Sequence, residues 1–343
     1  MATINIIEGI PPQISSDKDV AIDIEIFGMD AKRLHRPTGH FASMQVAVGD
    51  DVYVVLDEKD LQEAWDRIKG AKAIIGHNIL FDLRHLRRWI KIDKRFVWCT
   101  YLMERILWGG YYGGGEYGLN DLVRRYLDVH MEKDTRSDFG TATYMTDKMM
   151  QYAALDSYYT LKVKQAQDAE IESRHYDNRT YIEIDEPNIW SVLDMKPIKV
   201  NVKRWLEMAV EFEQRGRELE AELGINVNSH TQVKAYIKQI LRKDISDTQA
   251  QTLESLQSEV ADKILLARQY RKATSTYGEK WVTDNVEEGN LVYADFQVSG
   301  AETGRMICSS PNLQQLPARK IPEYRKLFVS SKGRLIIADV QAQ

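Results

Sequence analysis

The sequence predicts an α/β domain, a mixed β-sheet with helices packed against it, followed by a mainly α-helical region. Three observations carry this. Apolar, β-branched runs of strand length crowd the first hundred residues and are interleaved there with short helical periods. Helical periodicity then dominates the remainder. Between the two, the polar stretch ESRHYDNRTYIEIDEP interrupts the pattern and ends at Pro187, which places the domains at 1–175 and 176–343.

The first strongly patterned element is Val20–Phe27, VAIDIEIF. In a strand, Asp23 and Glu25 share one face while Ile22, Ile24 and Ile26 share the other. Two carboxylates about 7 Å apart by strand rise repel each other and resist desolvation unless a cation lies between them. An exposed edge strand would simply solvate them, and this segment alone leaves both readings open. Phe41–Val48 and Val52–Leu56 form a hairpin across Gly49-Asp50-Asp51. Glu58–Ile68 has helical periodicity, Ala73–Gly76 is a short buried strand, Asn78–Ile90 a helix and Phe96–Trp98 one more strand. Helices follow at Tyr101–Leu107, Leu119–Leu127 and Thr146–Ser173. Beyond Pro187, Val202–Leu223 is a long helix stopped at Gly224, Ser229 opens another through Ile240, and a third spans Ser255–Val282. Long helices flanking shorter ones suggest a projecting helical hairpin.

Composition narrows the function classes. The 343 residues carry 46 Lys and Arg against 51 Asp and Glu, a net charge of −5, so nucleic-acid contact would depend on local basic patches. Cys99 and Cys308 are the only cysteines and lack metal-ligand spacing, which argues against zinc and a disulfide framework and for a reducing compartment. With no basic and apolar leader and no apolar run of membrane length, the chain is expected to be soluble, cytoplasmic and without a membrane partner. The cluster GGYYGGGEYG at Gly109–Gly118 lacks the phosphate-loop pattern and reads as a surface loop.

Two further acids stand in suggestive places. Asp82 lies in the first turn of the helix after His77-Asn78, where it could reach the sheet end that presents Asp23 and Glu25; stabilising the helix dipole is the plainer use. Tyr152 and Asp156 share a helical face at i, i+4. Four acids with that tyrosine supply enough oxygens for two divalent cations, Mg²⁺ or Mn²⁺, about 4 Å apart. Phe81, Tyr111 and Tyr112 are candidates for aromatic contacts, and Arg84, Arg87 and Arg88 form a basic helix face open to phosphate or to solvent.

At DIE, HNILFD and YAALD the sequence resembles the 3′–5′ proofreading exonuclease family with a DEDD acid set and a tyrosine in its last motif, over roughly residues 15 to 170. The resemblance implies a ribonuclease H-like fold with Asp23, Glu25, Asp82 and Asp156 as metal ligands. It also implies that Tyr152 orients or deprotonates the attacking water and that Asn78 and Phe81 hold the single-stranded 3′ end. Cys99-Thr100 stands where relatives commonly have Asp-Thr. Further on, RQYRKATSTY, TGR and PNLQQLP resemble the thumb and early palm of family A DNA polymerases. That implies contacts of Arg268 and Lys272 with the primer-template backbone, and of Arg305, Asn312 and Gln314 near the primer terminus. Ile307 and Cys308 replace the serines usual after TGR. GRLIIADVQAQ resembles the palm strand, with Asp339 as its metal-binding aspartate.

The sequence is therefore expected to be the exonuclease, thumb and partial palm of a phage-like family A DNA polymerase. Fingers and second palm acid do not follow Asp339 within it, so it is expected not to polymerise alone. Two alternatives stay open: a DNA-binding subunit that a second polypeptide completes, and an RNA-trimming ribonuclease with the same acids.

Overall fold

The computed structural model describes residues 4–30, 35–36, 38–111, 116–131, 136–317 and 321–336. They form two compact units, Met1–Met195 with Asp295–Ser310, and Lys196–Ala294 with Pro311–Gln343.

The first unit is built on a six-stranded sheet. Its strands are β1 (Asn5–Glu8), β2 (Asp19–Phe27), β3 (His40–Val48), β4 (Asp51–Val55), β5 (Ala73–Gly76) and β6 (Val97–Cys99), in the spatial order β1-β4-β3-β2-β5-β6. The hairpins β2–β3 and β3–β4 are antiparallel, whereas β2–β5, β5–β6 and β1–β4 are parallel, so the sheet is mixed. Gly49 closes the β3–β4 turn at φ 66°, a left-handed conformation that costs glycine little. The edge strand β1 had no signal in the sequence, because all four of its residues are exposed and carry no burial alternation.

Helices α1 (Leu61–Ile68), α2 (Leu80–Leu86), α3 (Thr100–Trp108), α4 (Leu119–Leu127), α5 (Asp147–Ser173) and α6 (Glu186–Leu193) pack on this sheet. Helix α2 is shorter than the sequence suggested and ends at Leu86. The Thr146 hydroxyl caps α5 by accepting from the Met149 amide, and α5 then runs 27 residues across the sheet.

Residues 176–195, which composition assigns to the second domain, lie in the first unit. Their polar surface conceals a buried apolar set: Ile189, Trp190, Val192 and Leu193 enter the sheet-side core, and Tyr181 is fully buried. The Tyr181 hydroxyl donates to the Val97 carbonyl at 2.8 Å and accepts from the Cys99 amide at 2.6 Å, fastening the segment to β6. A small antiparallel hairpin, Asp295–Gln297 with Ile307–Ser309, also belongs to this unit. Val298 is buried in its core, Arg84 pairs with Asp295 at 3.1 Å, and Arg105 donates to the carbonyls of Ser299 and Gly300 at 2.7 and 3.2 Å.

The second unit contains α7 (Val202–Leu223), α8 (His230–Leu241), α9 (Ala250–Glu254), α10 (Glu259–Tyr277) and α11 (Glu279–Asn285), with a small four-stranded sheet. Trp205, Met208, Phe212 and Tyr324 form one core, where Trp205 stacks on Trp281 at 4.2 Å; Leu223, Val233, Ile237 and Ile264 form another. The single helix expected over Ser255–Val282 is two, α10 and α11, and α9 precedes it. Gln257 turns left-handed at φ 48°, and a Cβ at Gly278 would stand 2.4 Å from the Thr274 carbonyl oxygen, so both joints break the spiral. Among the described residues no helix is long and apolar enough to cross a membrane.

Candidate functional site

Strand β2 decides between the two readings of its acids. It lies inside the sheet order, paired with β5 as far as Ala21 and with β3 through Asp23 and Glu25, and both acids are half-buried rather than fully solvated. The partner helix is α5, which brings Asp156 to them: one carboxylate oxygen from each of Asp23, Glu25 and Asp156 lies within 4.8 Å of the others. Three like charges at such spacing repel. Their all-oxygen donor set suits a hard divalent cation such as Mg²⁺ or Mn²⁺, which would offset that repulsion.

Asp82 stands beside this group and outside it. Pairing between β2 and β5 ends at Ala21–Ile75, and β2 continues past it. The Ile24 amide, a ladder donor beyond that last pair, donates instead to Asp82 Oδ1 at 3.1 Å. Asp82 is 2% exposed, and burial holds its carboxyl well above the usual carboxylate range despite the amide bonds that favour ionisation. The chain thus sends the fourth acid to the same strand, at a different depth.

Tyr152 lies one turn before Asp156, half-buried, with its ring 6.3 Å from that of Phe139. Asn78 is exposed at the joint between β5 and α2, with φ 60°, a left-handed turn that asparagine tolerates. The Phe81 ring packs on His85 at 4.6 Å and is half-buried. The basic face of α2 and its C-terminal end is committed to the protein: Arg84 pairs with Asp295, Arg87 with Asp194, and Arg88 donates to the carbonyls of Thr38 and Gly39. Tyr111 is exposed with its ring 5.6 Å from Trp108, and Tyr112 lies outside the described residues. Cys99 is buried, and burial pushes its thiol up, away from nucleophilic chemistry.

The expected polymerase contacts fall in different settings. Arg268 turns inward: its guanidinium donates to the carbonyls of Val227 and Thr248 and to the Thr248 hydroxyl, which also bonds His230. Lys272, one turn on, is exposed. Arg305 is exposed at the tip of the 295–309 hairpin, in a turn where Gly304 takes φ 76° and the Ala301 amide reaches the Arg305 carbonyl at 3.0 Å. Asn312 caps a 3₁₀ turn by accepting from the amide of Gln314, and both side chains are exposed. Asp339 lies outside the described residues.

Two residues escaped the sequence reading. In β3, Ser43 faces Glu25 and Gln45 faces Asp23 across the ladder, and both are fully buried. Polar side chains at alternate positions of FASMQVAV were the only trace of them.

Comparison with known proteins adds the following. A family described as 3′–5′ exonuclease matches residues 8–172, and one described as DNA polymerase family A matches residues 196–343. DNA polymerase DpoZ of Acinetobacter phage SH-Ab 15497 is 23% identical across 94% of this chain and 60% of its own length. DNA polymerase I of Chloroflexus aurantiacus is 27% identical across 88% of the chain and 34% of its own length, so the chain spans less than two thirds of both relatives. Among solved structures, the POL domain of Pol1 from M. smegmatis, in complex with DNA primer-template and dNTP, shares the fold. Its TM-score is 0.70 at 19% identity, over 95% of this chain and 59% of that one.

Proposed function

We propose that this chain, which belongs to DNA polymerase family A and carries a 3′–5′ exonuclease domain ahead of its polymerase region, removes nucleotides singly from the 3′ end of DNA as a proofreading exonuclease in replication. The observation that carries this reading is the convergence of Asp23 and Glu25 of β2 with Asp156 of α5, one carboxylate oxygen of each within 4.8 Å of the others. With Asp82 they would hold two Mg²⁺ or Mn²⁺ ions. Bound there, such ions supply a nucleophilic water near neutral pH and neutralise charge on the leaving oxygen.

The chain's own groups do the remainder. Asp23 and Glu25 fix the site on β2, which β3 pairs at both residues. Asp156 closes it from α5, and the Tyr152 hydroxyl orients the attacking water or takes its proton. Asn78 and Phe81 would hold the terminal nucleotide. In the polymerase region, Lys272, Arg305, Asn312 and Gln314 would meet primer-template DNA, whereas Arg268 would act by holding the helices that present Lys272. Asp339 would serve a polymerase centre. Replication of this kind places the chain in the cytoplasm of a bacterial host.

The test is incubation with 5′-labelled single-stranded DNA and Mg²⁺ or Mn²⁺, beside RNA of the same sequence. The expected result is a ladder of products shortened one nucleotide at a time, abolished by a chelator and slower with RNA. Absence of cation-dependent shortening would refute the reading, and faster trimming of RNA would favour a ribonuclease.

A further inference from the structure

Gln45 and Ser43 are polar side chains with no exposure, on the sheet face that presents the acid cluster. Directly opposed residues of an antiparallel pair share a face, with Cβ atoms about 5 Å apart. The ladder registers Gln45 against Asp23 and Ser43 against Glu25. Both are 0% exposed. Gln45 Nε2 donates to Ser43 Oγ at 2.6 Å, and the Ser43 hydroxyl donates in turn to Met145 Sδ at 3.8 Å, just before the cap of α5. The amide is therefore held at one end. Its other end is not: Gln45 Oε1 is buried and has no hydrogen-bond partner among the described residues.

A buried carbonyl oxygen left in that state keeps the full cost of its desolvation, and nothing in the packing of an apolar strand calls for a glutamine. The groups it faces are carboxylates, which offer no proton when ionised, so the missing donor is a molecule that the acids themselves retain. Water fits: it donates to Oε1 with one hydrogen and to a carboxylate with the other.

The geometry points to Gln45, braced by Ser43, as a positioning residue that accepts a hydrogen bond from a water held among Asp23, Glu25 and Asp156 and so fixes the cation-binding arrangement of these acids. This rests on the proposed metal-dependent exonuclease. Outer groups that orient the ligands of a cation typically contribute roughly 10- to 100-fold in affinity.

The experiment is Mn²⁺ binding by calorimetry and by electron paramagnetic resonance, on the whole chain and on Gln45→Met and Ser43→Ala, with thermal melting of each without metal. Methionine fills the same volume without a polar atom, so metal-free Gln45→Met is expected to melt no lower than the parent. Its Mn²⁺ affinity is expected to fall roughly 10- to 100-fold, and that of Ser43→Ala to fall less. Affinity in both variants within twofold of the parent would overturn the assignment while leaving the exonuclease reading intact. Absence of Mn²⁺ binding by the parent would overturn that reading and this assignment together. A fall in melting temperature of Gln45→Met with unchanged affinity would make Gln45 a packing residue only.

Discussion

Tyr152 is placed to act on water because it precedes Asp156 by one turn of α5, and its ring is already held against Phe139. Tyr152→Phe removes the hydroxyl and keeps that packing. Single-turnover shortening of DNA is expected to fall on the order of 10²–10⁴-fold with Mn²⁺ affinity retained, and an unchanged rate would leave the ring's packing as its whole role. Asp194 makes a different case at the same scale. Hydrogen bonds from Lys94 and Arg87, at 2.9 and 2.7 Å, bring its carboxyl down to about 2 from the usual 3.8. Its folded pKa is thus below the unfolded one, so the stabilisation is present above pH 4 and is lost as pH falls toward 2. The side chain is 44% exposed and solvent screens the pair, so the effect is below about 1 kcal/mol. Asp194→Asn is expected to melt slightly below the parent at pH 7 and together with it near pH 2; a constant offset across that range would contradict the assignment. Asp23 and Glu25 stood out in the sequence because ionised acids inside an apolar run conflict with burial, and Asp156 because it shares a helical face with Tyr152. Ser43 and Gln45 were not, since a polar residue at every second position of a strand equally describes one face in water.

Helix α10 shows how a motif and its use can separate. Arg268 sits where sequence resemblance implies a DNA contact, yet the fold surrounds its guanidinium with the carbonyls of Val227 and Thr248. Arg268→Met is expected to destabilise the second unit by about 1.5–3 kcal/mol, the range for hydrogen bonds to a charged group. It should weaken primer-template binding no more than Lys272→Met does. Full stability together with lost DNA affinity would return Arg268 to the interface. The sequence located α4, α5 and α7 to within a residue because each has a long apolar period and a stop or cap such as Gly224 or Thr146. It merged α10 with α11 because the break rests on Gly278, and began them at Ser255, ahead of the left-handed Gln257, since such local backbone events leave hydrophobic periodicity intact.

The chain order of the whole molecule differs from its spatial order. Residues 295–310 follow nearly a hundred residues of the second unit yet belong with the sheet of the first, through Val298, the Arg84–Asp295 pair and the Arg105 bonds. No periodicity in sequence announces such a return, since it depends on partners far along the chain. A polypeptide of residues 1–195 therefore lacks part of its own core. It is expected to melt below the first unit of the whole chain, with the loss of Val298 burial alone worth about 1.5–3 kcal/mol; an equal melting temperature would show the hairpin to be peripheral. The central claim is that the acids of β2 hold the cations of an exonuclease. It is tested most directly by the single-turnover rate at which 5′-labelled single-stranded DNA is shortened in Mg²⁺ by the chain and by its Asp23→Ala/Glu25→Ala variant. A cation's charge stabilisation is worth several kcal/mol, so the variant is expected to lose on the order of 10²–10³-fold or more while melting as a folded protein. A folded variant that shortens DNA at the parent's rate would contradict the claim.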